Sequence, residues 1–131
     1  MNPQNQKNKL TISGQVQSVK YSLKGISIFF KNEYHAWIHA IAAIVVVAMG
    51  FVFGISNSEW IWLVFAIGFV FVAEMLNTAI EYTIDLVSPE FNPKAGAVKD
   101  VAAGAVTLAA ITALIIGSLV FIPHFIKYFV A

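Results

Sequence analysis

The sequence predicts an all-α membrane protein, with an N-terminal amphipathic surface helix followed by three transmembrane helices. The composition is the first reason: 59% of the 131 residues are hydrophobic and 11% charged, with a mean hydropathy of +0.77. A soluble globular chain has about 45–50% apolar and about 25% charged residues. So little polar surface excludes an ordinary cytosolic enzyme, a disordered tail and a collagenous repeat. The second reason is three long apolar stretches, each long enough to cross a hydrocarbon core, which takes about 20 helical residues. The absence of cysteine excludes disulfide scaffolds, zinc–thiolate sites and cysteine nucleophiles. A net charge of +1 argues against nucleic acid as a partner.

The elements follow in order. Residues 1–11 read as a flexible polar N-terminus. Over 12–32, Ile12, Val16, Val19, Leu23, Ile26 and Phe30 recur at steps of three and four, while Gln15, Gln17, Lys20, Ser22, Lys24, Ser27 and Lys31 fall largely elsewhere. That pattern predicts a helix lying on the membrane surface. The first span covers about 36–55 and is interrupted only by His39. The second covers about 60–87; Ser56 and Glu59 have capping-box spacing before it, and Pro89 ends it near Ser88. Asn92 reads as an N-cap and Pro93 as the first helical position of the third span, about 93–122, which Pro123 is expected to end. Residues 126–131 then form a tail. Trp37, Trp60 and Trp62 stand near span ends, where amphipathic rings favour the interface. Lys7, Lys9, Lys20, Lys24 and Lys31 precede the first span, and Lys94 and Lys99 lie between the second and third. The positive-inside rule therefore places the N-terminus and the 88–100 loop in the cytosol and the C-terminus outside.

The acids carry the functional signal. Of seven carboxylates, Glu74, Glu81 and Asp85 fall in the second predicted helix. With Asn77 they form one polar stripe that climbs about 16 Å along the helix axis. An acidic side chain at mid-helix costs about 2.5–3.5 kcal/mol on insertion scales. One reading is structural, with these groups paired to Lys94 and Lys99. The other is functional, because intramembrane ionisable groups mark sites by default. Asn32 and Glu33 close the surface helix, and Lys99 and Asp100 sit at the same cytosolic level. Glu33 with Glu81 can hold a hard cation such as Mg²⁺, and lysine can meet a phosphate. Desolvation at Glu74 suits a general base for a lipid hydroxyl. Metal-assisted phosphoryl transfer is one of several readings that this chemistry allows. A proton- or cation-coupled transporter subunit and a membrane scaffold are others.

The run Glu74-Met75-Leu76-Asn77-Thr78-Ala79-Ile80-Glu81-Tyr82-Thr83-Ile84-Asp85 resembles the signature of the prokaryotic diacylglycerol kinase family, E-x-x-N-[ST]-[AS]-[LIV]-E-x-x-[LIV]-D. Asn32-Glu33 and Lys99-Asp100 match two further family motifs, and the resemblance covers about 12–125 as one domain. It implies a homotrimeric lipid kinase of the bacterial cytoplasmic membrane, dependent on ATP and Mg²⁺, with sites shared between subunits and facing the cytosol. By position, Glu74 resembles the catalytic base, and Glu33 and Glu81 the metal ligands. Tyr21, Glu33, Glu81, Glu90, Asn92, Lys99 and Asp100 fall where the family contacts nucleotide. Asn32, Asn77 and Asp85 match supporting positions. The chain has no arginine, and Gly14 stands near where the family has one. Asn92 stands where the enterobacterial enzymes have histidine. The stretch from Lys99 to Val106 is more similar to the undecaprenol-kinase branch, so undecaprenol is favoured over diacylglycerol as the lipid substrate.

His35 and His39 share a helix face, but no third ligand accompanies them, and they are read as interfacial or packing residues. Ala105, Ala109, Ala113 and Gly117 form a small-residue ridge suited to helix or subunit packing.

Overall fold

The computed structural model describes residues 11–130; the polar N-terminal stretch read from the sequence falls, apart from Thr11, outside them. Four helices follow one another: α1 Ile12–Asn32, α2 Tyr34–Phe53, α3 Asn57–Val87 and α4 Pro93–Val130. The chain divides after Tyr34 into two units. The first holds α1. Its N-terminus is capped by the Thr11 hydroxyl, which accepts from the Gly14 N–H at 3.2 Å. Its C-terminus closes where the Glu33 N–H donates to the Phe29 carbonyl at 2.9 Å. Ile12, Val16, Val19 and Leu23 are exposed, whereas Phe29 is buried.

The second unit holds the three long helices, and all three are long and apolar enough to span a membrane. The turn from α2 to α3 is specified locally. Gly54 takes φ 60°, the left-handed conformation that a side chain disfavours. Around it the Ile55 N–H donates to the Gly50 carbonyl at 3.2 Å, and the Gly54 N–H donates to the Phe51 carbonyl at 3.3 Å. This is the paired bonding of a Schellman cap. Ser56 then starts α3. Its N–H donates to Glu59 Oε2 at 2.7 Å, while its Oγ accepts from the Glu59 N–H at 3.4 Å. This is the reciprocal capping box that the Ser56–Glu59 spacing predicts. At the other end of α3 the Ser88 N–H donates to the Ile84 carbonyl at 2.8 Å. Asn92 Oδ1 accepts from the Lys94 N–H at 2.9 Å, capping α4 with Pro93 in its first turn.

One expected boundary is wrong. The third span does not stop at Pro123; α4 runs through it to Val130, so residues 126–130 are helical rather than a tail. Proline removes one backbone donor and crowds the preceding turn, a local penalty that packing has overcome. Beyond Pro123, the rings of Phe125 and Tyr128 meet Phe53 at centroid distances of 4.8 and 6.0 Å. His124 Nε2 lies 2.9 Å from Glu59 Oε1. These contacts tie the last turns of α4 to the α2–α3 corner.

The core is a seam. On α3 the buried residues are Leu63, Ala66, Val70, Glu74 and Thr78, at steps of three and four. On α4 they are Ala102, Ala109, Val120 and Phe121. Of the small-residue ridge, Ala109 is buried, Ala113 and Gly117 are half-buried and Ala105 is exposed. Ile55, Leu63, Val120 and Phe121 form one apolar cluster, with Phe53 and Trp60 against it. Elsewhere the helices turn large apolar side chains outward, among them Ile44, Ile61, Val64, Leu114 and Leu119. Such a surface suits hydrocarbon surroundings. Hydroxyls on it are satisfied internally: Thr107 and Thr112 donate to the Ala103 and Leu108 carbonyls at 3.1 and 2.8 Å.

Gly54→Ala is expected to destabilise the bundle by about 1–2 kcal/mol through the left-handed backbone alone. Thermal unfolding in detergent checks this, with an unchanged midpoint as the contrary result.

Candidate active site

The site builds outward from the buried face of α3. Glu74 is 6% exposed and continues the line of Leu63, Ala66 and Val70, so packing brings a carboxylate into an apolar seam. Such a group needs a partner. It has His39 of α2, whose Nε2 lies 2.8 Å from Glu74 Oε1. An ionised carboxylate only accepts, so with Glu74 charged the imidazole donates. One turn along, Thr78 is also buried. Asn77 Nδ2 donates to Glu81 Oε1 at 2.8 Å, a contact between residues four apart on one helix face. The Asn77 Oδ1 atom is buried with no hydrogen-bond partner. Two turns beyond, Lys99 of α4 forms an ion pair with Asp85. Both side chains of that pair are substantially exposed, so it adds little stability.

A cavity of about 340 Å³ opens on the other side of Glu74 along α3. Ala42, Val46, Leu63, Ala66 and Val70 line it, and His39 is the one charged or polar side chain among its walls. The α3 helix therefore runs from an apolar cavity, past the His39–Glu74 pair, to the polar line of Asn77, Glu81 and Asp85.

The remaining residues singled out from the sequence fall elsewhere. Tyr21, Asn32 and Glu33 belong to the first unit. The Tyr21 hydroxyl accepts from Gln17 Nε2 at 2.9 Å, and Asn32 is the last residue of α1. Glu90 and Asn92 belong to the segment between α3 and α4, and Asn92 already serves as the α4 cap. Asp100 is exposed in the second turn of α4. Within the second unit, the structure thus joins Asn77 to Glu81 and Asp85 to Lys99.

Two of these findings change the sequence reading. His39 is more than a packing residue, because it holds the buried acid. The alternative reading, in which lysines pair with the acidic line, holds among the described residues only at Asp85, its exposed end. Sequence reasoning also missed His124, which faces Glu59 at the opposite end of α3. In each case the available signal was an ionisable group in or beside an apolar span, which must find a partner across helices.

A multi-pass helical membrane protein with a partnered carboxylate inside the bundle is the class that this geometry defines. Residues 20–121 match the family profile described as Prokaryotic diacylglycerol kinase. The undecaprenol kinase of Bacillus subtilis is 41% identical over 107 residues, which cover 82% of this chain and 87% of that one. The diacylglycerol kinase of Synechocystis is 32% identical over 114 residues, covering 86% of this chain and 65% of its own length. The diacylglycerol kinase of Escherichia coli is 26% identical over 110 residues, covering 84% and 90%. The chain belongs to the prokaryotic diacylglycerol kinase family and is a membrane lipid kinase. The transporter reading gains no support from these matches.

Glu74→Gln keeps an oxygen to face His39 and replaces a buried ionisable group with a neutral amide. Its folding stability is expected to stay within about 1 kcal/mol of the parent or to rise. Thermal midpoints of the two proteins in the same detergent decide this.

Proposed function

We propose that the protein transfers the γ-phosphate of ATP to the hydroxyl of a membrane lipid, with undecaprenol favoured over diacylglycerol. The observation that carries the mechanism is the order of groups along α3: apolar cavity, buried Glu74, then Asn77, Glu81 and Asp85. A lipid alcohol and a charged nucleotide have to meet at one point, and a helix graded in this way offers each of them its own end. The preference for undecaprenol rests on the higher identity to the Bacillus subtilis undecaprenol kinase and on the stretch from Lys99 to Val106.

Glu74 acts as the base. It accepts the hydroxyl proton as the lipid oxygen attacks the γ-phosphorus, and ADP leaves with the electron pair of the broken P–O bond. Glu81 and Glu33 are the carboxylates that would hold Mg²⁺. The donor chemistry fits, since both offer the hard oxygen ligands that Mg²⁺ takes. Among the described residues no three His, Asp or Glu side chains form a metal cage, and Mg²⁺ needs none, because it is commonly held by one or two carboxylates together with substrate phosphates. When bound, the ion neutralises phosphate charge. Asn77 orients Glu81 by its amide hydrogen bond. Lys99 meets phosphate charge, and Asp85 positions the Lys99 ammonium. Tyr21, Glu90, Asn92 and Asp100 contact the nucleotide, and Asn32 supports Glu33. The protein works as a homotrimer in the bacterial cytoplasmic membrane, with the N-terminal helix on the cytosolic surface and the C-terminus outside. Three helices have too little surface to enclose both substrates, so neighbouring copies complete each site.

The test is phosphate transfer by purified protein in mixed micelles with ATP and Mg²⁺, with undecaprenol and diacylglycerol supplied separately. Lipid-dependent transfer is expected, faster with undecaprenol and lost in Glu81→Gln. Glu74→Gln is expected to lower kcat by about 10²–10⁴-fold with the KM for ATP little changed. Transfer that persists in Glu81→Gln removes the metal assignment; faster transfer to diacylglycerol reverses the substrate preference.

A further inference from the structure

We propose that His39 is a positioning residue for the phosphoryl transfer, committing one oxygen of Glu74 to its ring so that the other faces the lipid hydroxyl. The inference rests on Glu74 being the base, as proposed above. Three observations point to it. The contact is close, 2.8 Å between His39 Nε2 and Glu74 Oε1, and it joins different helices. The acid it holds is buried, with 8% of its side chain exposed against 23% for the histidine. His39 also lines the apolar cavity, so the pair that holds the carboxylate borders the space open to a hydrocarbon chain.

The geometry has a chemical consequence. A glutamate side chain has three rotatable bonds, so a carboxylate with no fixed partner samples several orientations. The imidazole removes that freedom. With its proton on Nε2 it donates to Oε1 and fixes the plane of the two oxygens. Oε2 is then the oxygen left for the substrate. During transfer the alcohol O–H bond breaks as the new O–P bond forms. The proton goes to Glu74, and the electron pair of the cleaved P–O bond leaves with ADP. His39 exchanges no proton and touches no reacting atom.

The experiment uses the full chain in mixed micelles with Mg²⁺, ATP and the lipid that the parent turns over. His39→Ala is expected to lower kcat about 10- to 100-fold, the effect of losing one hydrogen bond to a charged group, with KM for ATP within about twofold of the parent. His39→Gln, which restores a donor on a side chain that can reach the carboxylate, is expected to recover much of that loss. The His39→Ala/Glu74→Gln double variant is expected to be no slower than Glu74→Gln alone, because both changes remove one unit. Should alanine disrupt the bundle, His39→Met fills similar space without a donor and carries the same expectation. Parental kcat in His39→Ala or His39→Met, or a loss that adds in full to that of Glu74→Gln, overturns the positioning role and leaves the base assignment standing. Parental kcat in Glu74→Gln removes the base assignment itself.

Discussion

The structure depends on a carboxylate placed where hydrocarbon would pack more easily. Glu74 occupies a seam position on α3 equivalent to those of Ala66 and Val70, so the helix cannot bury its apolar stripe without burying this acid too. The bond to His39 offsets that cost, and it links α2 to α3 at the level where the helix changes character. On one side of the pair the side chains are apolar around a cavity; on the other they are amide, carboxylate and ammonium. The change from apolar to polar surroundings thus lies along a single helix, the grading on which the proposed lipid and nucleotide ends rest.

The opposite end of α3 is built on different terms. Ser56 and Glu59 cap it reciprocally, Gly54 turns the chain into it, and Phe53 is surrounded by aromatic rings of α4. His124 adds a contact to the capping carboxylate. None of these groups belongs to the proposed chemistry. Their role is to hold three helix ends together, so that residues on separate helices meet far from the turn that connects them.

Much of this was legible in the sequence wherever the cause is local. Ser56 with Glu59, and Asn92 with Pro93, specify helix starts through bonds within one turn, and both occur as their spacing predicts. The Asn77–Glu81 contact follows from a four-residue step on one helix. The His39–Glu74 pair was not legible, because its partners are 35 residues apart and no periodicity relates them. Pro123 misled for the same reason. Its local effect is unfavourable, and the contacts of His124, Phe125 and Tyr128 that outweigh it come from other helices. The family signature made Glu74, Asn77, Glu81 and Asp85 visible together, yet it held no information about which atoms they touch.

The back-bonded threonines of α4 have a consequence of their own. Because Thr107 and Thr112 each hand their proton to a carbonyl of their own helix, the outward face of α4 offers its surroundings methyl groups in place of hydroxyls. A residue that counts as polar in composition is thus, to a neighbouring alkyl chain or helix, a branched hydrocarbon. The exposed side of α4 is oilier than its composition spells out.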